Sequence, residues 1–323
     1  MKRRVVFLFL LFAIISQAFA VKLGIDRGAV RLVLDESNGA VILYTRNEKI
    51  ENEEDQLTSI LSAENRDELS RYLLKAGPNI YDLAPRRQEL TVMAEETLFG
   101  ISITYTVENV ASVLLDFLFF SHVPGILQDT VRIAITVKNL GKSEDTFALK
   151  GVFDTYLGER KNHHFSTLLD EKILHETLFE NIGDIKWIDS SNPNISMKFV
   201  LEGWDITPPN WAAVTTRSNA FNRVWKTPIV ANVPLTSFAA NNNSAVTIAW
   251  DDVKLEPEGQ VEYAFYITTG IEGASAPSNL EQAYLGKLEL YQPDKEGPNT
   301  DFLDPAYTLS GVAIPCKKND ELC

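Results

Sequence analysis

Alternation of apolar and polar residues recurs along this chain, and it constrains the possible fold more than any other feature. The pattern is clearest in five windows, at 30–34, 101–107, 131–137, 246–250 and 261–267. A period of two sends successive side chains to opposite faces of a strand, so each window predicts a half-buried β-strand. Many strands separated by short turns are typical of an antiparallel sandwich and not of a βαβ protein.

Two of these windows are followed by turn residues and then by another strand pattern. The window at 131–137 precedes Asn139-Leu140-Gly141 and an apolar segment from Phe147 to Phe153. This arrangement predicts an antiparallel hairpin. Leu255-Glu256-Pro257-Glu258-Gly259 likewise separates the last two windows.

Two other stretches depart from a period of two. From Glu54 to Ala76 the apolar residues recur at helical spacing, and Gly77-Pro78 follows as a stop signal. Ser278-Asn279-Leu280-Glu281 has the spacing of a helix capping box, and the apolar residues after it share one helical face as far as Tyr291. The predicted fold is therefore mostly β: a large antiparallel two-sheet sandwich with one or two peripheral helices.

The first twenty residues have the three parts of a secretory signal. A basic start, Met1-Lys2-Arg3-Arg4, precedes an apolar run from Val5 to Ile15 and a small-x-small site that ends at Ala20. The alternative is a membrane anchor, but the run is shorter than the roughly 20 residues that a bilayer span needs. We therefore expect a signal that is cleaved after Ala20, no transmembrane anchor, and a periplasmic or secreted mature chain.

This interpretation divides the chain into three parts. They are a signal peptide at 1–20, a β-sandwich domain at 21–292 with a helical insertion at about 54–76, and a loosely ordered tail at 293–323. The tail holds both cysteines, Cys316 and Cys323. In an oxidising compartment they would form a disulfide bond that closes a small loop; free thiols and pairing with another chain are the alternatives.

Charge and motifs exclude several function classes. The formal net charge is -14, and cleavage of the signal would remove three basic residues and make the charge still more negative. Nucleic acid is bound through clustered Lys and Arg, which this acidic protein lacks, so it is not an expected partner. The sequence has no Walker loop, no Gly-x-Gly-x-x-Gly after a strand and no Gly-x-Ser-x-Gly elbow, so nucleotide binding and acyl transfer by that elbow lack motif support. No cofactor is expected.

The densest polar cluster lies around residues 154–176. One hypothesis makes His163 or His164 a general base or metal ligand oriented by Asp154, because imidazole is suited to both roles. The alternative is a solvated loop between strands. Adjacent residues of a strand face opposite ways, so both histidines cannot point at one ion. We favour the solvated loop and expect neither a catalytic residue nor a metal site here.

The segment from Gly203 to Pro234 is the best candidate for a binding surface. It holds three tryptophans and three basic residues: Trp204, Trp211, Trp225, Arg217, Arg223 and Lys226. Aromatic side chains on loops supply large, rigid contact areas, and Arg is a frequent partner at interfaces. The alternative is that the tryptophans form a minor core at one end of the sandwich.

From about residue 130 to 270 the chain resembles a group of exported bacterial proteins of unassigned function. The similarity lies in Val137-Lys138-Asn139-Leu140-Gly141, Val152-Phe153-Asp154-Thr155-Tyr156-Leu157-Gly158 and Leu255-Glu256-Pro257-Glu258-Gly259. The loop at 159–165 departs from that pattern. The strand arrangement is also similar to galactose mutarotase-like domains, which implies a large two-sheet fold used by proteins that bind or process sugars. A shared fold does not by itself imply a shared activity.

Two functions follow as hypotheses. The favoured one is an exported, non-enzymatic envelope protein whose sandwich binds a protein partner or a glycan. The alternative is a carbohydrate-active enzyme of mutarotase-like architecture. A histidine and a carboxylate that converge at one site would favour the enzyme, whereas an aromatic and polar face would favour binding.

Overall fold

The computed structural model describes most of the chain between residues 22 and 285. The described residues are 22–35, 39–47, 56–61, 70–83, 90–97, 100–122, 127–155, 157, 165–222, 224–230, 232, 234–235, 244–278 and, for the backbone alone, 284–285. The predicted signal, the predicted tail, and Cys316 and Cys323 lie outside them.

Strands account for most of the described residues. In chain order the strands are β1 (Lys22–Arg27), β2 (Val30–Asp35), β3 (Ala40–Arg46), β4 (Leu57–Leu61), β5 (Arg71–Ala76), β6 (Asn79–Asp82), β7 (Leu90–Glu96), β8 (Gly100–Val107), β9 (Ala111–Ser121), β10 (Thr130–Asn139), β11 (Asp145–Thr155), β12 (Phe165–Thr167), β13 (Thr177–Phe179), β14 (Trp187–Ser191), β15 (Ser196–Val200), β16 (Trp211–Thr216), β17 (Ser244–Leu255), β18 (Gln260–Gly270) and β19 (Tyr284–Leu285). Two single-turn helices are α1 (Ile182–Ile185) and α2 (Arg217–Ala220).

The strands form two antiparallel sheets. The first sheet has the order β1-β2-β3-β4-β11-β17-β16-β13, and β5 pairs with both β11 and β6. The second has the order β12-β14-β15-β18-β10-β9-β8-β7, and β19 pairs with β9. This architecture confirms the predicted two-sheet sandwich with one or two peripheral helices, although the two short helices lie at other positions than those predicted.

The core lies between the two sheets and is built by the alternation seen in the sequence. On β10, for example, Val131, Ile133 and Ile135 are buried while the residues between them are partly exposed. Aromatic rings join the layers: Phe153 of the first sheet lies 5.1 Å from the ring of Phe199 in the second. The two sheets therefore share one continuous apolar core.

The predicted hairpin between 131–137 and 147–153 is wrong, although both strands exist. β10 pairs with β9 and β18, whereas β11 pairs with β4, β5 and β17, so the chain crosses from one sheet to the other between them. The β17–β18 connection crosses in the same way, and the two corners bond to each other. Asn139 accepts from the Glu258 N–H at 3.0 Å and donates its side-chain amide to the Leu255 carbonyl at 2.8 Å.

The predicted helical insertion at about 54–76 is also wrong where the structure describes it. The described residues form β4 and β5. Tyr72 and Leu74 face the main core, while Leu73 packs on the opposite face of the sheet with Val152 and Phe221. A strand buried on both faces presents consecutive apolar residues, which periodicity alone does not distinguish from a buried helix.

The helix predicted after Ser278 meets a similar correction. Tyr284 and Leu285 pair as a short strand with Ser121 and Phe120 of β9; the rest of that segment lies outside the described residues. None of the helices in the described part of the chain is long and apolar enough to cross a membrane.

Candidate functional site

Two of the six residues predicted to bind a partner are buried, and a third is half-buried. Trp211 sits within β16 with 3 % of its surface exposed, and Arg217 in α2 is also buried. Trp225 is half-buried, and its indole N–H donates to Asp251 Oδ1 at 3.1 Å, the same oxygen to which the Trp211 indole N–H donates at 3.1 Å. These side chains pack the fold, as the competing interpretation of this segment holds.

The described residues from 217 to 230, which we call the covering segment, lie over the outer face of the first sheet. Lys150 of β11 points into this layer and has no exposed surface. Its ammonium donates to the carbonyls of Val224 at 3.0 Å and Trp225 at 3.1 Å. Burial lowers the pKa of Lys150 to about 8. The lysine therefore ties the covering segment to the sheet.

A second anchor of this segment is the buried carboxylate of Glu176. It accepts from the hydroxyl of Thr215 at 2.9 Å, from the backbone N–H of Thr216 at 3.1 Å and from the side-chain amide of Asn219 at 2.8 Å. The N–H of Val230 donates to its other oxygen at 3.3 Å. A carboxylate that accepts this many bonds has a structural role.

Asp154, proposed in the alternative catalytic set, belongs to the same layer. It has no exposed surface, and the Arg217 Nε atom lies 3.8 Å from its carboxylate. His163 and His164 lie outside the described residues, so the structure does not place them beside it. With the covering segment in place, Asp154 has no contact with solvent and is sealed from a substrate.

Trp204, by contrast, is exposed over 45 % of its surface. It lies on the loop between β15 and β16, which crosses from the second sheet to the first. Gly203 has φ 147°, which side chains rarely tolerate, and Asp205 has φ 53°. Ile206 then packs on an apolar cluster of the second sheet's outer face that includes Phe120. These turns direct the indole outward while its neighbours hold the loop down.

Arg132 provides the second attachment of that loop. Its Nη2 atom lies 2.9 Å from Asp205 Oδ2. On the same face Asp116 is diagonal to Arg132, because Asp116 pairs with Ala134 and Leu118 pairs with Arg132. We call the surface formed by Trp204, Asp205, Arg132 and Asp116 the Trp204 platform.

Electrostatics along the same face act on the pKa of Asp116. Burial, and then the Glu95 carboxylate, raise the pKa of Asp116, and Arg132 opposes them. Ser102 lies between the two acids in the register of β7, β8 and β9, and its hydroxyl donates to Glu95 at 3.5 Å. The platform thus continues into a polar row of hydrogen-bond donors and acceptors.

The last two residues predicted to bind a partner are Lys226 and Arg223. Lys226 is exposed and forms an ion pair with Glu180, and Arg223 lies outside the described residues. No group of three or more His, Cys, Asp or Glu within the described ranges is arranged to hold a metal ion.

One histidine–carboxylate pair was not predicted from the sequence. The ring Nδ1 of His122, at the end of β9, bonds to Asp129 just before β10. Asp129 also accepts the His122 backbone N–H at 3.2 Å and the Thr130 hydroxyl at 3.0 Å. The apolar run of β9 ends at His122, but nothing local in the sequence marks Asp129 as its partner.

Comparison with known proteins gives a likeness of fold. No family model matches the chain, and no curated protein matches it. Among solved structures, a galactose mutarotase related enzyme from Lactobacillus acidophilus has a TM-score of 0.47 at 8% identity, over 80% of this chain and 100% of that one. A galactose mutarotase-like protein from Lactobacillus casei has a TM-score of 0.48 at 8% identity, over 77% and 100%.

A putative aldose 1-epimerase from Escherichia coli K12 is similar at a TM-score of 0.44 and 9% identity, over 78% of this chain and 100% of that one. These structures share the kind of two-sheet sandwich that the strand pairings establish here. Likeness at this level carries no statement about activity.

Proposed function

We propose that this chain is an exported protein that binds a glycan, and that the Trp204 platform is the binding surface. The observation that carries the proposal is the exposed Trp204 indole on a loop held by the Asp205–Arg132 ion pair and by the packing of the partly buried Ile206. A rigidly held aromatic ring offers a large contact area at a low cost in side-chain entropy.

The chemistry of the platform suits a glycan better than a protein. A sugar ring presents a C–H face that can pack on an indole, and hydroxyl groups that can bond to carboxylate and guanidinium groups. Asp205, the residue after Trp204, and its partner Arg132 supply such groups, and Asp116 lies diagonal to Arg132. A stable protein interface buries about 800 Å² on each partner around an apolar centre, whereas the platform is one indole bordered by charged side chains. We propose binding without chemistry at the platform itself.

The direct test is a screen of the full chain against defined oligosaccharides, followed by calorimetric titration of the strongest ligand. Trp204→Ala should weaken binding at least about tenfold, as the loss of a central aromatic contact does. Leu169→Ala is the matched control, because Leu169 is 66 % exposed but lies on the turn after β12. Equal binding by wild type and Trp204→Ala, or capture of a protein and of no glycan, would contradict the proposal.

Export is proposed from the pattern of residues 1–20. An intact-mass measurement on protein from its native source should give a chain that begins at Val21. A mass that includes the first twenty residues would show that the segment is retained and would remove the argument for a periplasmic or secreted location.

A further inference from the structure

His122 and Asp129 form a preorganised pair outside the Trp204 platform. Four donors fix the aspartate besides the His122 ring. The Thr269 N–H and hydroxyl bond to its backbone carbonyl at 2.8 Å and 3.1 Å, and the Thr130 hydroxyl and His122 N–H bond to its carboxylate. These bonds come from β10, β18 and the end of β9. The carboxylate is therefore held in position before any ligand arrives.

The pair also fixes the chemistry of the histidine ring. An ionised carboxylate only accepts hydrogen bonds, so Nδ1 of a neutral ring carries the proton and Nε2 carries a lone pair. About a third of the side chain, 32 %, is exposed. Within the described ranges, Nε2 forms no hydrogen bond. A partly exposed imidazole whose Nδ1 is bonded to a buried carboxylate has the arrangement of a general base.

We propose that His122 is a general base that hydrolyses an ester substituent on the bound glycan. Nε2 takes a proton from a water molecule while the water oxygen bonds to the ester carbonyl carbon. The tetrahedral intermediate then breaks its bond to the alcohol oxygen, which receives the proton from His122. An ester and one water give a carboxylic acid and a sugar hydroxyl, and the ring returns to its starting state. No metal or other co-reactant is needed.

Position links this activity to the platform, so the inference rests on the proposed glycan binding. Leu118 and Phe120 of β9 face outward in the apolar cluster on which Ile206 packs. His122 follows directly after the end of β9, two residues beyond Phe120. An acylated glycan that lies on Trp204 and extends along β9 would bring its ester group to Nε2.

An ester fits this base better than a glycosidic bond. Hydrolysis of a glycoside uses a second group that protonates the leaving oxygen, in most enzymes a carboxylic acid opposite the base. Asp129 is unsuited to that role because it is bonded to Nδ1 on the far side of the ring from Nε2. Acyl transfer, in contrast, can use one imidazole as base and then as acid.

Release of acetate from O-acetylated xylo-oligosaccharides by the full chain tests the activity. His122→Gln should lower kcat at least about 100-fold. The control is His175→Ala, because His175 is exposed and its ring has no hydrogen bond in the described part of the chain; its kcat should equal that of wild type. Trp204→Ala should raise KM and leave kcat nearly unchanged, which separates failure of binding from failure of catalysis.

Asp129 acts through His122, so the test of Asp129 measures the protonation of the His122 ring. Asp129→Asn would present an amide N–H to Nδ1, which moves the ring proton to Nε2 and removes the base. The ¹⁵N shifts of the His122 ring should show the change of tautomer, together with a fall in kcat and a thermal transition close to that of wild type. A purely structural Asp129 would lower the transition without moving the tautomer.

The inference is overturned if wild type releases no acetate while it binds the acetylated oligosaccharide, or if His122→Gln retains the wild-type kcat. Failure of both binding and turnover would overturn the glycan proposal together with it.

Discussion

Arg132 on β10 forms an ion pair with Asp205 at 2.9 Å, and this contact joins the second sheet to the loop that presents Trp204. Asp205 stands at φ 53°, a conformation that residues other than glycine adopt infrequently. The ion pair therefore stabilises a loop whose backbone does not favour its own conformation.

Removing this contact should weaken ligand binding more than folding. We expect Asp205→Asn to lower the free energy of unfolding by about 1 kcal/mol, because the pair is partly exposed. Binding of the oligosaccharide selected in the screen should fall several-fold, since the loop loses its preorganisation. Urea unfolding and calorimetry on the same sample measure both quantities. A large loss of stability with unchanged affinity would show that the loop serves only the fold.

Trp211 and Trp204 should respond to mutation in opposite ways. Trp211→Ala removes a buried ring and its hydrogen bond to Asp251, so the free energy of unfolding should fall by about 3–5 kcal/mol. Trp204→Ala should leave the thermal transition nearly unchanged. Thermal unfolding of the two variants makes the comparison. Equal transitions for both would contradict a core role for Trp211.

Because of the buried amine of Lys150, we expect the free energy of unfolding to rise at alkaline pH. Burial lowers the pKa of Lys150 to about 8 in the folded state, from the ordinary value of 10.5. Between those values the unfolded chain binds more protons, so the free energy of unfolding rises with pH, by at most about 1.4 kcal/mol per pH unit. Below pH 8 the penalty for burying the charge is fully present.

Lys150→Met isolates this contribution because it removes the titrating group and leaves the other residues in place. Urea unfolding of both proteins at several values from pH 7.5 to 10.5 gives two slopes. The slope of wild type should exceed that of Lys150→Met across this window. Identical slopes would mean that the amine is solvated in the folded protein.

Ion pairs of the covering segment should differ in strength according to burial. Asp154→Asn leaves Arg217 without its buried carboxylate, so we expect a loss of about 3–5 kcal/mol. Lys226→Ala breaks the exposed pair with Glu180 and should cost less than about 1 kcal/mol. Chemical unfolding measures both. A similar small cost for the two variants would show that water reaches Asp154.

The sequence pointed to the segment from Gly203 to Pro234, but it did not show which of the three tryptophans is exposed. Trp204, Trp211 and Trp225 lie in the same segment of the sequence. Trp204 is exposed, whereas Trp211 and Trp225 bond to Asp251. That difference depends on β16, where Trp211 faces Ala249 of β17. Whether a side chain is buried depends on which strand pairs beside it, and the local sequence does not predict that pairing.

The many half-buried strands could be predicted from the sequence, because alternation is a local property of neighbouring residues. Tertiary structure assigned each strand to its sheet: β10 and β11 are neighbours in sequence and lie in different sheets. It also decided which polar groups meet, as His122 does with Asp129 and Arg132 with Asp205. Such meetings depend on strand register and loop path, which result from packing the whole core at once.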